Sequence, residues 1–321
     1  MKGFVACSIL LVTAATANAE STDGRFWLDK MSRAISELNF EGTFVYLHGN
    51  QMETVHILHG VDEKGEERER MISLTGVARE VIRDSNHVTC ILPDSQSVVV
   101  DKSHPRKPFP AAFHQDLDKL ANYYDFHDLG DDRMTGVPVR VIAIQPRDKY
   151  RYGYRMWLDK KTNMLLKFDL TDAQGMPVEQ MMFTDFKVRD RIALSEFEPA
   201  LSGAGYTRLE VALEDQEQDS SPSHSWRVDR LPEGFMLTHH NRHFLPASPD
   251  RVEHMVFGDG LATVSVYVEK PAPNEENLQG ISSMGAVNAY GARIAGHQVT
   301  AVGEVPEVTV KMIVRSARPV Q

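Results

Sequence analysis

Residues 145–170 read QPRDKYRYGYRMWLDKKTNMLLKFDL, and their alternation decides the fold class. From Tyr152 onward, Tyr152, Tyr154, Met156 and Leu158 fall on one face, with Arg151, Arg155 and Trp157 on the other. A period of two is that of a strand with one face on a core. Asp159-Lys160-Lys161-Thr162-Asn163 is polar and turn-forming. A returning strand puts Met164, Leu166, Phe168 and Leu170 on its apolar face, and a third run, Val178–Phe186, follows the turn Asp172-Ala173-Gln174-Gly175. The resulting antiparallel meander has a broad apolar surface expected to be lined by Tyr154, Met156, Leu158, Leu166 and Phe168. Such a face is covered by helices or by a ligand. Arg147, Lys149, Arg151 and Arg155 flank the first strand. Two readings of them stay open: a solvated strand face, or a site for an anion such as a lipid phosphate.

The chain has 321 residues, enough for two domains, and its 42% hydrophobic and 25% charged residues are those of a globular protein. Residues 1–19 have the pattern of a secretory signal peptide. Lys2 supplies the positive start, Phe4–Val12 is an apolar run too short to span a bilayer, and Ala17-Asn18-Ala19 is the cleavage site. Cys7 lies inside that run with almost nothing before it, so a lipoprotein signal is rejected. The remaining chain has no apolar stretch of spanning length and is expected to be exported and soluble. Without Cys7, Cys90 is alone and no intramolecular disulfide can form. Loss of Lys2 lowers 35 basic residues to 34 against 45 acidic ones, a net charge of −11. That balance argues against non-specific nucleic-acid binding.

In chain order, Arg25–Asn39 has helical spacing of Trp27, Met31, Ala34, Ile35 and Leu38, with Asp23 as N-cap. Strands are expected at Phe40–His48, Glu53–His59, Glu67–Leu74, Ala78–Arg83, Val88–Leu92 and Ser97–Val100, joined by short turns and therefore antiparallel. Pro110–Tyr124 reads as a second helix with Phe113, Leu117, Leu120 and Tyr124 on one face, and Val137–Ile144 leads into the opening hairpin. Residues 20–201 thus form one twisted antiparallel sheet with two helices lying on it. Residues 202–224 form an acidic linker in which Glu214–Ser223 is the expected first site of proteolysis. Residues 225–321 form a smaller, independent domain. Its expected strands are Trp226–Val228, Phe235–Asn241, Arg251–Phe257, Leu261–Val268, Asn288–Ile294 and Gln298–Val302, closed by a helix Pro306–Arg315 with Pro306 at N1.

The chemistry-bearing patterns are sparse. No nucleophile elbow, phosphate-binding loop, HExxH or cofactor motif is present, which argues against a hydrolase. His239-His240-Asn241-Arg242-His243 and the trio His48, His56 and His59 are possible metal ligands, but no second ligand set stands at zinc-like spacing. Polar strand positions are the plainer reading. Cys90 alternates with Val88 and Leu92 as a buried strand thiol. Asp159 and Asp169 form no evident acid–base pair.

A family resemblance enters with Phe40-Glu41-Gly42-Thr43-Phe44-Val45-Tyr46, Pro146-Arg147-Asp148-Lys149-Tyr150-Arg151-Tyr152-Gly153-Tyr154, Leu231-Pro232-Glu233-Gly234-Phe235, Phe257-Gly258-Asp259-Gly260-Leu261-Ala262 and Val302-Gly303-Glu304-Val305-Pro306. In this order, behind a signal peptide and a helix carrying Trp27, they resemble the RseB/MucB family of periplasmic sigma-factor regulators over nearly the whole mature chain. The resemblance implies an α+β fold: a large LolA/LolB-like unclosed antiparallel β-barrel with covering helices, plus a smaller C-terminal α/β domain with an antiparallel sheet. It also implies a non-enzymatic protein that binds the periplasmic domain of an RseA/MucA-type anti-sigma factor and shields it from the protease DegS or its equivalent. Release by lipid or lipopolysaccharide, and self-association into a homo-oligomer, follow from the same resemblance. A periplasmic lipoprotein or lipid carrier of LolA/LolB type is the alternative. A simple carrier needs one domain, so the C-terminal domain favours the regulator.

Overall fold

The structure, a computed structural model, describes residues 23–101, 117–201, 203–211, 225–244, 251–270 and 278–320. The signal sequence, Phe113 and the expected cleavage stretch Glu214–Ser223 lie outside the described residues.

The first domain opens with α1 (Gly24–Glu37), then β1 (Asn39–His48), β2 (Gln51–Val61), β3 (Glu67–Ser73), β4 (Glu80–Arg83), β5 (Val88–Leu92) and β6 (Ser97–Asp101). A single turn, α2 (Leu117–Leu120), precedes β7 (Tyr124–Met134), β8 (Val137–Pro146), β9 (Gly153–Asp159), β10 (Leu165–Thr171), β11 (Pro177–Arg189) and β12 (Thr207–Val211). All twelve strands join one sheet in the order β12-β6-β5-β4-β3-β2-β1-β11-β10-β9-β8-β7. The sheet does not close: β12 and β7 are its two edges. Asp23 caps α1 by accepting from the Arg25 amide at 3.1 Å. Leu28, Met31 and Ile35 pack with Ile142, Ile144, Tyr154, Met156, Leu158, Phe40 and Phe183. The helix is the plug that the apolar face of the meander requires, and burial of each of its large side chains contributes about 1.5–3 kcal/mol.

Three expectations for this domain are corrected. Tyr124 opens strand β7 instead of ending a helix. Leu117, Leu120 and Tyr124 do share one core, which gives helical spacing, but the chain leaves the helix after one turn. The strand was illegible because it is an edge rich in Asp, and charge at an edge blocks further pairing. Leu166 faces away from Phe168 and Leu170. A register shift between Leu165 and Lys167 puts Leu165 opposite Leu158 on the α1 side, and Leu166 beside Trp157 and Val139 on the other. Finally, residues 207–211 of the expected linker form β12, which pairs in parallel with β6.

The second domain contains β13 (Trp226–Val228), β14 (Met236–Phe244), β15 (Arg251–Gly258), β16 (Thr263–Glu269), β17 (Gly280–Met284), β18 (Val287–Ile294), β19 (His297–Glu304), α3 (Glu307–Ser316) and β20 (Ala317–Pro319). Six strands form an antiparallel sheet, β14-β15-β16-β19-β18-β17, while β13 pairs with β20. Pro306 is the N-cap of α3, one position before the expected N1. Val310, Ile313 and Val314 are fully buried against Val264, Val266, Val299 and Ala301. This packing outweighs the weak helix preference of β-branched residues.

Candidate functional site

The two domains meet across a polar interface built on Arg151. The residue is 1% exposed. It donates to Asp148 at 2.9 and 3.2 Å, to Asp259 at 2.6 Å and to the Glu233 carbonyl at 2.6 Å. The rings of Tyr123, Phe235 and Tyr124 surround the guanidinium, with centroids 5.2, 5.2 and 5.4 Å away. Burial works against its charge, but Tyr124, Asp259 and Asp148 together hold Arg151 above its ordinary pKa. Asp259 lies in the β15–β16 turn, where it also accepts from the Tyr124 hydroxyl at 2.8 Å and from the Leu261 and Ala262 amides. A five-donor planar cation suits a site with carboxylates on two sides and a carbonyl on a third.

The β17–β18 turn makes the second contact. Ala286 is fully buried within the first domain's core. Its amide donates to Glu179 of β11 at 2.8 Å, and Glu179 also accepts from the Tyr46 hydroxyl. Burial, then the hydrogen bond to Glu179, push the Tyr46 phenol well above its ordinary pKa. Asn288 donates to the Tyr152 hydroxyl at 3.0 Å, and the Thr309 hydroxyl donates to the Tyr150 carbonyl at 2.6 Å. Two glycines permit this approach. A Cβ on Gly234 (φ +84°) would stand 2.5 Å from the Tyr123 ring, and one on Gly285 (φ +58°) 2.7 Å from Glu179 Oε1.

The expected cation cluster therefore divides. Arg151 points inward and is saturated, so it is removed from the candidate anion site. Arg147, Lys149 and Arg155 are exposed, with Arg147 paired to Asp125 at 2.7 Å. The expected lipid-lining residues divide as well. Tyr154, Met156 and Leu158 are 6%, 0% and 0% exposed beneath α1, and Phe168 packs on the same core.

A groove of about 930 Å³ lies elsewhere, among the β7–β8 turn, the β9–β10 turn and the C-terminal half of β11. Val137, Leu166, Phe183, Phe186 and Val188 line it, and Lys160 and Lys161 stand at its rim. Leu166 is the one residue of the expected lipid set that reaches it. Lys160 is paired with Asp131 at 2.6 Å. Sequence reading took both lysines as turn residues only. Asp159, which accepts from the Thr162 hydroxyl at 2.6 Å, shapes the turn that carries them.

The other singled-out residues are placed separately. His59 is buried and stacked on Phe40, His56 contacts Thr43, and His48 lies 3.5 Å from Glu53. The three occupy different register positions of one hairpin. His240 contacts Glu253 at 2.9 Å, and His239 faces His254. Burial pushes the half-buried Cys90 thiol up, away from reactivity.

This chain matches the MucB/RseB N-terminal domain over residues 23–201 and the MucB/RseB C-terminal domain over residues 220–318. It is 32% identical to the sigma factor AlgU regulatory protein MucB of Pseudomonas aeruginosa, covering 97% of this chain and 94% of that protein. It is 28% identical to the sigma-E factor regulatory protein RseB of Haemophilus influenzae, covering 98% and 97%. Among solved structures, MucB in the MucA/MucB complex of Pseudomonas aeruginosa superposes with a TM-score of 0.72 at 29% identity, covering 93% of this chain and 99% of that one. A crystal structure of MucB in complex with MucA(peri) also gives a TM-score of 0.72, at 28% identity and 93% and 100% coverage. The chain belongs to the MucB/RseB family.

Proposed function

We propose that this family member is a periplasmic negative regulator of an envelope-stress sigma factor. It binds the periplasmic part of an RseA/MucA-type anti-sigma factor, keeps a protease from it, and lets go when lipid or lipopolysaccharide occupies the first domain. One observation carries the reading: likeness over both domains to a relative solved with MucA bound. The leader pattern supports export, and no helix among the described residues is long and apolar enough to cross a membrane. The role is that of a binding protein, not an enzyme, and self-association is part of it.

The lipid half rests on the groove. Its apolar floor suits an acyl chain, and the lysines at its rim suit a phosphate. Near-complete release requires a ligand to favour the releasing arrangement about 10⁴-fold, roughly 5.5 kcal/mol. An acyl chain buries about 0.8 kcal/mol per CH₂, so the energy suffices. A net charge of −11 after leader removal (35 basic residues less Lys2, against 45 acidic) repels lipid phosphates at long range, which leaves attraction to local cations. The test is capture of the host's anti-sigma periplasmic segment by the mature protein, titrated with lipopolysaccharide and run beside a lipoprotein-transfer assay. Absence of capture rejects the regulator, and transfer without capture supports a LolA/LolB-type carrier.

A further inference from the structure

We infer that the free edge of β17, together with the Arg315 flank of α3, is a docking groove for an extended, acidic segment of a partner protein, which joins the second domain's sheet as an added strand. The groove belongs to the second domain alone and is independent of what the first domain binds.

The two large sheets end in four edge strands, β12 and β7 in the first domain and β14 and β17 in the second. An edge presents a row of unpaired amides and carbonyls, and proteins guard it with charges, proline or a bulge. Three of the four edges are guarded in this way. β7 carries Asp125, Asp128, Asp131 and Asp132, with a register shift between Asp128 and Gly130. β14 carries Arg242, with a register shift between Leu237 and His239. β12 carries Arg208 and Glu210. β17, Gly280-Ile281-Ser282-Ser283-Met284, has no charge, no proline and an unbroken register with β18. Residues 281–284 are all exposed, Met284 at 66%, and β18 is the one strand among the described residues that pairs with them.

The two sides of this edge differ. Ile281 stands opposite Tyr290 of β18, and Ser283 opposite Asn288, on the α3 side of the sheet. Glu307, Lys311 and Arg315 follow one another at four-residue spacing along one flank of α3, and Arg315 lies over the Tyr290 ring, 5.8 Å from its centroid. This flank therefore overlooks β18 and, beyond it, the free edge. Lys311 is engaged with Glu307 at 2.5 Å, whereas Arg315 is exposed and pairs with no carboxylate among the described residues. On the other side of the sheet, Met284 stands opposite Val287 and Ser282 opposite Ala289, with no charge among them.

A strand added to β17 runs two strand spacings from β18, roughly 10 Å, a gap that an arginine and a glutamate side chain span together. The complementary segment alternates, with carboxylates on the α3 side beside Arg315 and apolar side chains beside Met284 and Val287. Main-chain hydrogen bonds supply attachment, and the alternate side chains supply selection. The chain as a whole is acidic and repels such a segment at long range, so the preference is local to Arg315.

Fluorescence anisotropy of labelled eight-residue peptides with the mature protein tests the groove. In each peptide valine alternates with polar residues, and the two central polar residues are glutamate in one and lysine in the other. At physiological salt the glutamate peptide should bind about 10-fold more tightly than the lysine peptide, and Arg315→Glu should reverse that order with the melting temperature nearly unchanged. Hydrogen exchange locates the peptide. About half of the Gly280–Met284 amides point away from β18 and exchange freely in the protein alone, and these should gain protection at saturation. No binding of the glutamate peptide, equal binding of the two peptides, an unchanged order in Arg315→Glu, or binding without protection in β17 would each overturn the groove. So would protection in β17 that rises with protein concentration alone, which would give the edge to a second copy of this chain.

Discussion

Arg151 Nη1 and Asp259 Oδ2 lie 2.6 Å apart with both side chains at 0% exposure, although 108 residues separate them. This pair ties the β8–β9 connection, just ahead of the central hairpin, to the β15–β16 turn of the other domain. Removing one member strands the other charge in a dry site.

Asp259→Asn or Arg151→Met is therefore expected to destabilise the protein by about 3–5 kcal/mol, while the double change Arg151→Met with Asp259→Leu costs less than the sum of the two. Denaturant unfolding of the three variants checks this. Additive losses would mean the two side chains act independently.

Met156 is wholly buried, so Met156→Glu is expected to unfold the first domain, a loss exceeding about 4 kcal/mol. Val188 lines the groove and is 39% exposed. Val188→Glu should leave the melting temperature nearly unchanged and abolish uptake of a fluorescent fatty acid. Unimpaired uptake in a folded Val188→Glu protein would place the acyl site elsewhere.

Lys149 and Arg155 are exposed, and reversing both should change stability by about 0.5 kcal/mol or less. The expected phenotype is a weaker response to lipopolysaccharide with anti-sigma capture intact in its absence. Identical titrations would remove these two cations from lipid release, and lost capture without lipid would assign them to the protein interface.

Gly234→Ala places a methyl group against the Tyr123 ring in a backbone conformation that alanine disfavours. The expected cost is about 1–3 kcal/mol, seen as a lower melting temperature and faster proteolysis between the domains. Gly175→Ala, at φ +77° with open space around it, separates the backbone cost from the clash.

The central hairpin was legible because its two faces differ, and a period of two is a local property. Tyr154, Met156 and Leu158 announce a buried face, and α1 covers it. The same periodicity misplaced Leu166, since one register shift swaps faces without a mark in composition. It also placed Arg151 in an outward-facing cluster, solvated or anion-binding: only the fold brings Asp259 and the Glu233 carbonyl to that side chain. Strand β7 was hidden for the opposite reason. Asp125, Asp128, Asp131 and Asp132 suit a sheet edge and look like a loop. The groove escaped notice because Val137, Leu166 and Val188 come from three separate elements.

The parallel pairing of β12 with β6 shortens the leash between the domains. The chain stays fastened to the first domain through Val211 and is held again at Ser225, whose carbonyl accepts from the Val320 amide at 2.8 Å. The thirteen residues between them, 212–224, can span at most about 50 Å by covalent geometry. A second domain that lets go thus faces its own docking surface at an effective concentration on the order of millimolar. Reclosure is unimolecular and indifferent to dilution. Any molecule that holds the domains apart must outcompete that local concentration, however scarce the protein itself is.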